Sequence, residues 1–192
     1  TGVERGWWSP GDVNADIGGG RYETATRYMR DLADVRNYVY DTQLPTSQLA
    51  RVLPRIEDGR SDTATIANVL NVIPSAAVRQ EVLRFAANAV KPGGRVFILI
   101  HEGDGRGVGR VTKKAADPSK ESWQEHRKTE TYLPEVRRVF PNALVTYGMI
   151  VAPNGQYAFS SETMRRLRQP VSARKRASSK AWLAAYAAGK RR

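Results

Sequence analysis

The run Val13-Asn14-Ala15-Asp16-Ile17 ends in three consecutive glycines, Gly18, Gly19 and Gly20, and a second short run, Val39-Tyr40, ends in Asp41. No other feature constrains the chain as much. Glycines placed directly after a strand let the backbone turn sharply into a helix and approach a ligand closely. A carboxylate at the end of the following strand accepts hydrogen bonds from ribose hydroxyls. The two together predict a βαβ unit that holds an adenosine-containing ligand.

The rest of the chain continues this alternation. A helix is predicted near Thr24–Leu32 and a second strand at Tyr38–Tyr40. Pro45 and Pro54 leave room for one brief helix around Gln48–Leu53. Thr63–Val69 reads as a buried strand of β-branched residues and alanines. Ser75 is a plausible cap for a helix whose apolar face is Val78, Val82, Phe85, Ala86 and Ala89, and Lys91-Pro92-Gly93-Gly94 stops it. Val96–Ile100 is a continuous apolar run, typical of a central parallel strand. A polar, glycine-rich stretch follows from Glu102 to Ser122. Then come a short helix at Pro134–Phe140, a strand or strand pair at Leu144–Val151, a turn at Pro153-Asn154-Gly155 and a returning edge strand at Gln156–Phe159. The expected fold is α/β: a Rossmann-like, mostly parallel sheet with helices on both faces. There is little room for a full third strand between Asp41 and Asp62, so the sheet is expected to be abridged there. The ligand belongs beyond the carboxyl ends of the strands.

The absence of cysteine excludes disulfides, thiolate nucleophiles, cysteine-ligated zinc and iron–sulfur chemistry. The two histidines, His101 and His126, lie apart and outside any metal-ligand motif, so no metal is expected. No apolar run approaches the roughly 20 residues that span a bilayer, and no secretory signal is visible; the expected location is the cytoplasm, with no membrane partner. The net charge of +12 is unevenly spread. Residues 165–192 hold ten Lys/Arg and no Asp/Glu, which leaves residues 1–164 with a net charge of only +2. The expected organisation is a ligand-binding domain over 1–164 and a basic tail over 165–192. The tail is partly helical around Ala181–Ala188, with Trp182, Leu183 and Tyr186 as a small apolar face, or disordered. Such a tail binds polyanions by counterion release, which makes nucleic acid the expected partner.

The glycines are consecutive, so the dinucleotide pattern G-x-G-x-x-G is absent. Asp16 just before them would repel a pyrophosphate but suits the ammonium and sulfonium of S-adenosylmethionine (SAM). At these residues the chain resembles the class I SAM-dependent methyltransferases, over roughly residues 13–152. The matching pieces are Asp16-Ile17-Gly18-Gly19-Gly20, Asp41, the stretch Asp62–Ile73 as that family's fourth strand and following loop, and Val90-Lys91-Pro92-Gly93-Gly94-Arg95-Val96 before its fifth strand. More narrowly, the glycine triplet, Asn68–Ile73 and Ser122-Trp123-Gln124 look like a phage- and prokaryote-associated methyltransferase group.

The resemblance implies that Gly18, Gly19 and Gly20 wrap the methionine part of SAM, with Asp16 reaching its ammonium directly or through water. It implies that Asp41 binds the ribose and Thr42 lies beside the adenine. Asp58 or Asp62 would approach the adenine amino group, and Asn68 and Val69 would pass close to the transferred methyl. The family's Asp/Asn-Pro-Pro-aromatic loop is replaced here by Asn68-Val69-Leu70-Asn71. Methyl transfer is a displacement governed by positioning, with a base needed where the nucleophile carries a proton. Asn68, Asn71, His101, Glu102 and His126 are the candidates for that chemistry. Arg110, Lys113 and Lys114 are candidates for binding phosphate on a mobile lid, and Trp123, Gln124 and Tyr132 for stacking on or reading a base. The expected activity is SAM-dependent methylation of nucleic acid, DNA or RNA. The alternatives are a small-molecule or protein methyltransferase with an incidental tail, and a non-catalytic nucleic-acid-binding protein on the same fold.

Overall fold

A computed structural model describes residues 7–113 and 122–155. The edge strand expected at Gln156–Phe159, Lys114 and the whole basic tail lie outside the described residues. The first βαβ unit is β1 (Val13–Ile17), α1 (Thr24–Ala33) and β2 (Arg36–Tyr40), with β1 and β2 parallel and in register from Val13/Arg36 to Ile17/Tyr40. Helix α1 ends where Asp34 takes a left-handed conformation (φ 53°), letting its N–H and that of Val35 reach back to Arg30 and Met29.

Helix α2 runs over Thr46–Glu57, longer than predicted and straight through Pro54. Proline removes one N–H, and the carbonyl it would have served belongs to exposed Ala50, where water replaces the lost donor. The chain then enters β3 (Ser61–Ala67). This strand stops two residues earlier than predicted, because Asn68 adopts φ +59° and leaves the ladder. Helix α3 (Ala76–Ala89) is capped by the Ser75 hydroxyl, which accepts from the Val78 N–H at 3.4 Å. Strand β4 (Val90–Leu99) takes in the Lys91-Pro92-Gly93-Gly94 turn, because Gly93 and Gly94 pair with the Asn154 backbone. The Asn154 side chain also donates to the Ala87 carbonyl at the end of α3, at 2.9 Å.

The stretch expected to be a loop contains an antiparallel ribbon, β5 (Gly109–Lys113) with β6 (Ser122–Glu125). Trp123 closes it from one side: its ring lies where a Cβ on Gly109 would stand, 2.1 Å away, so the glycine makes the close approach possible. Helix α4 (Leu133–Arg137) and the hairpin β7 (Leu144–Thr146) and β8 (Met149–Pro153) complete the chain. The main sheet has the order β2-β1-β3-β4-β8-β7; β8 and β7 are antiparallel to their neighbours and the rest are parallel. No strand separates β2 from α2, so β2 is the sheet's edge.

Residues alternate between the two sheet faces. Ala15, Ile17, Ala64, Ile66, Val96, Ile98, Ile150 and Ala152 form one face and pack on Ile56 of α2, Leu83 and Ala86 of α3 and Val136 of α4. The opposite face is different in kind. Under α1 it carries Asn14, Asp16, Asn37, Thr63 and Thr65; farther along it carries Phe97, Met149 and Val151, covered by Trp7, which stacks on Phe97 at 5.3 Å.

Helix α3 is locked to α4 by a buried ion pair. Arg79 Nε and Nη2 each donate to a Glu135 oxygen at 2.7 Å, and Nη1 donates to the Ile73 carbonyl. Both side chains are nearly enclosed, at 7% and 14% exposure. Removing one partner strands the other charge. Arg79→Ala is therefore expected to cost about 3–5 kcal/mol, read as a fall in the urea midpoint with an unchanged slope.

Candidate functional site

The glycine turn is built from the sheet outward. Gly18 N–H donates to the Tyr40 carbonyl at 2.7 Å, and Gly20 N–H donates to Asp41 Oδ2 at 2.9 Å. Both glycines have positive φ, +75° and +72°. A Cβ on Gly18 would stand 2.3 Å from Val69 Cγ2, and one on Gly19 would stand 2.5 Å from Asp16 Oδ2. Gly18 and Gly19 are thus required by contacts with β3's outgoing loop and with Asp16, and Gly20 by its positive φ.

Asp16 lies beneath this turn rather than in front of it. It is 5% exposed, and its two oxygens accept from Thr65 Oγ1 at 2.8 Å and Asn37 Nδ2 at 3.2 Å. Burial pushes its carboxyl above the usual range, against the pull of those two hydrogen bonds, and the nearby charge of Asp41 adds to the rise. The sequence places Asp16 on an ammonium, directly or through water; in the structure both its oxygens are engaged by Thr65 and Asn37 and it lies under the Gly19 backbone. Asp41 sits at the end of β2, half-buried, with Oδ1 accepting from the Gln43 N–H at 2.8 Å. Each of its oxygens keeps a second lone pair for a ligand hydroxyl. Thr42, beside it, is exposed. A cleft of about 160 Å³ opens next to the turn, lined by Gly20, Tyr22, Thr26, Val39, Leu44 and Gln48. It lies along the outer edge of β2, where no strand pairs.

Asp62 and Asp58 do not belong to this group. Asp62 starts β3 at the amino end of the sheet, where Oδ2 accepts from the Val13 N–H at 2.8 Å and Oδ1 pairs with Lys91. Asp58 precedes it and accepts from the Arg60 N–H in a turn. The whole length of β3 separates both from the glycine turn, so neither approaches a ligand there.

The carboxyl ends of β3 and β4 continue the crevice. Asn68 N–H donates to the Leu99 carbonyl at 2.9 Å, and its exposed side chain leaves the sheet on a left-handed backbone. Asn71 is fully buried in the 3-10 turn Leu70–Val72, its amide without a hydrogen-bond partner among the described residues, and so does not line the open edge. His101 follows β4 and is exposed. His126 meets it edge to face at 5.5 Å between ring centroids. The His126 ring lies over Gly103 (φ +52°), and its Nδ1 is 3.5 Å from Asp104 Oδ1. His126 is only 17% exposed, and its partner Asp104 is 50% exposed.

Glu102 is spoken for. Thr129, whose N–H donates to it, and Lys128 push its carboxyl down to about 2. The Thr129 N–H lies 2.9 Å from Oε1 and Lys128 Nζ lies 3.2 Å from Oε2. A group so acidic is a weak proton acceptor near neutral pH, and it serves instead to cap the turn at Thr129–Tyr132.

The ribbon carries the expected substrate residues with mixed results. Arg110 is exposed opposite Gln124, which is half-buried, and Lys113 ends β5. Trp123 is committed to Gly109. Tyr132 is wholly buried, with Arg127 stacked 3.9 Å above its ring, and is not available to read a base. Among the described residues no three His, Cys, Asp or Glu gather as a metal site, and no helix is long and apolar enough to cross a membrane.

The pairing of His126 with Asp104 and the supporting roles of Asn37 and Thr65 were not legible in the sequence. The strand Ser61–Ala67 did carry one signal, polar residues at 61, 63 and 65 on a single face.

No protein-family model and no curated protein sequence matches the chain. Solved structures do. The pyocyanin biosynthetic protein PhzM and TnmH each align at 16% identity with a TM-score of 0.51, over 80% of this chain and 53% of theirs. An O-methyltransferase family protein from Burkholderia thailandensis aligns at 14% identity and a TM-score of 0.47, over 83% of this chain and 54% of that one. The chain spans about half the length of these structures. Its strand order and the antiparallel strands at the end of the sheet are those of the class I SAM-dependent methyltransferase fold.

Two outcomes are expected. Gly19→Ala forces a methyl onto the buried Asp16 carboxylate; it should lower the melting temperature by several degrees, whereas alanine at Gly148 in the β7–β8 turn meets nothing within 4 Å and perturbs only through its φ of +71°. Glu102→Gln should lower stability at pH 6, and the deficit should shrink as pH falls from 4.5 towards 2. Glu102 has a depressed folded pKa, so its contribution is present above the unfolded value and lost on acidification; melting curves over that range check it.

Proposed function

We propose that the chain is a methyltransferase that uses SAM as donor and methylates a small molecule at an oxygen or nitrogen that loses a proton. The observation that carries the reading is the line of groups along the carboxyl edge of the sheet: Asp41 and the glycine turn, then Val69 and Asn68, then His101 with the His126–Asp104 pair. The residues present fit the donor. The glycine triplet leaves a side-chain-free cradle, Asp41 keeps lone pairs for ribose hydroxyls, and the Leu44 side of the cleft offers an apolar seat for an adenine edge. SAM supplies an electrophilic methyl on a sulfonium.

The protein's own residues then do three things. The glycine turn and Asp41 fix the donor end. Asn68 and Val69 border the place where nucleophile and methyl must align, which is mainly a matter of positioning. His126 accepts the proton, and Asp104 holds the imidazole so that the ring nitrogen away from it is the acceptor. PhzM, which the fold resembles, is a pyocyanin biosynthetic protein, which supports the small-molecule reading. The second reading, methylation of nucleic acid, is supported by the ten Lys/Arg of residues 165–192 and by exposed Arg110.

Calorimetry with SAM, and NAD as a control, is the first experiment. Binding is expected, weakened at least tenfold in Asp41→Ala; no SAM binding by the full chain overturns the reading. Labelled methyl uptake is then screened over phenols, amines, DNA and RNA. His126→Ala should lower turnover 10²–10⁴-fold while leaving SAM affinity in place. If uptake goes to nucleic acid and collapses when the ten tail cations are replaced by glutamine in the full chain, the small-molecule assignment fails and the second reading stands.

A further inference from the structure

We infer that Trp8 is a positioning residue for the glycine turn, acting through a largely buried chain of hydrogen bonds that runs in one direction across β3, β1 and β2 and ends on Asp16. The inference rests on the glycine turn being the donor seat proposed above.

The chain begins with the Trp8 indole N–H, which donates to Thr63 Oγ1 at 2.9 Å. The Thr63 hydroxyl donates to Asn14 Oδ1 at 2.7 Å. The Asn14 amide has two protons and uses both: one goes to Thr65 Oγ1 at 3.0 Å, the other to Asn37 Oδ1 at 2.7 Å. Thr65 then donates to Asp16 Oδ1 at 2.8 Å. Asn37 donates to Asp16 Oδ2 at 3.2 Å and to Thr26 Oγ1 of α1 at 3.0 Å. Two branches therefore leave Asn14 and rejoin on the two oxygens of one carboxylate, directly beneath Gly19.

The direction is fixed at both ends. Indole is a donor only, and at the other end both Asp16 oxygens accept, one from Thr65 and one from Asn37. Each threonine has a single hydroxyl proton, and both are spent towards Asp16. Reversing Asn14 alone would set oxygen against oxygen at Asn37, and reversing Asn37 alone would set donor against donor at Asn14 and oxygen against oxygen at Asp16, so the orientation of both amides follows from the two ends. Trp8 is itself well held. Its ring meets Phe97 edge to face at 5.4 Å, and Arg95 donates to the Trp7 carbonyl at 3.0 Å.

Parallel strands enclosed between layers are ordinarily apolar on both faces. Here the inner positions Asn14, Asn37, Thr63 and Thr65 are polar, and their one shared destination is the carboxylate under the turn. A satisfied network of this kind specifies one geometry where an apolar face would tolerate several. What it specifies is the position of Asp16, and Asp16 sets how low Gly19 sits and hence where the Gly20 N–H meets Asp41.

The test compares full-length variants under conditions where all are folded. Thr63→Val removes the link and Thr63→Ser keeps it; Trp8→Phe keeps the ring and removes the donor. Two readouts are taken: SAM affinity by calorimetry, and amide hydrogen exchange at Gly18, Gly19 and Gly20. Thr63→Val and Trp8→Phe are each expected to weaken SAM by about fivefold or more, the loss of roughly one hydrogen bond, and to speed exchange at the turn. Thr63→Ser should restore both, and the double variant Trp8→Phe, Thr63→Val should be no weaker than Thr63→Val alone. Arg79→Ala, far from the chain, should lower stability without moving either readout. Unchanged affinity and unchanged exchange in Thr63→Val, with only its melting temperature lowered, would overturn the inference. If the wild type binds no SAM, the donor reading fails by itself, and the exchange data still decide whether Trp8 positions the turn.

Discussion

The contact between a buried carboxylate and a glycine α-carbon organises this molecule. Asp16 stands at the carboxyl end of β1, walled in by α1, β2 and β3, with Gly19 folded down on it. Burial raises its pKa above that of the unfolded chain, so the native state binds a proton more tightly than the unfolded one. Stability therefore falls as pH rises from the unfolded value through the native one, and at neutral pH the carboxylate is a net cost of folding. The hydrogen bonds from Thr65 and Asn37 offset part of that cost, and the apolar core on the other face of the sheet supplies the rest. A group kept at such expense in the centre of a sheet serves geometry more than stability.

The sheet's two faces divide these duties. The face against α2, α3 and α4 is made of alanine, valine and isoleucine and provides burial. The face against α1 is a polar ladder under the glycine turn and an aromatic cluster farther along. Because β2 is the edge, the ladder ends one strand from open space, at Asn37. The cleft lined by Thr26, Val39 and Gln48 exists for that reason: α2 follows β2 at once, and no further strand closes the edge.

The sequence reading succeeded where local chemistry decides. The glycine triplet, the strand before it, Asp41 and the alternation of strands and helices follow from period, breakers and spacing, and the short link between β2 and β3 announced the narrowed sheet. It failed where long-range pairing decides. Asp62 looked like a ligand because of its place in a motif, but register puts it at the amino end of β3 with Lys91 and Val13. Glu102 looks like a base because it follows a central strand, but the Thr129 N–H, 27 residues later, and the Lys128 ammonium fold onto that carboxylate. The ribbon was hidden because Gly103–Gly109 reads as loop until Trp123 is seen to cover Gly109. Pro54 reads as a stop in sequence, although on an exposed helix side a missing N–H is cheap.

The same logic explains how a histidine on an extended segment is held steady. Residues 125, 126 and 127 alternate in direction, so whatever fixes Glu125 and Arg127 on one side sends His126 to the other. Glu125 accepts from the Tyr132 hydroxyl at 3.3 Å and pairs with Arg127 at 3.0 Å, and Arg127 stacks on the buried Tyr132 ring. Glu135, on the helix that follows, binds Arg79 of α3 and lies 3.7 Å from Arg127. A continuous ionic and aromatic clamp thus joins the core helices to the root of the ribbon and presents His126 to Gly103, Asp104 and His101. Asp16 and its ladder do this for the glycine-turn half of the crevice, and the Arg79–Glu135–Arg127 clamp does it for the other half. The two meet at Val69 and Asn68, where the left-handed turn of Asn68 lets β3 end between them.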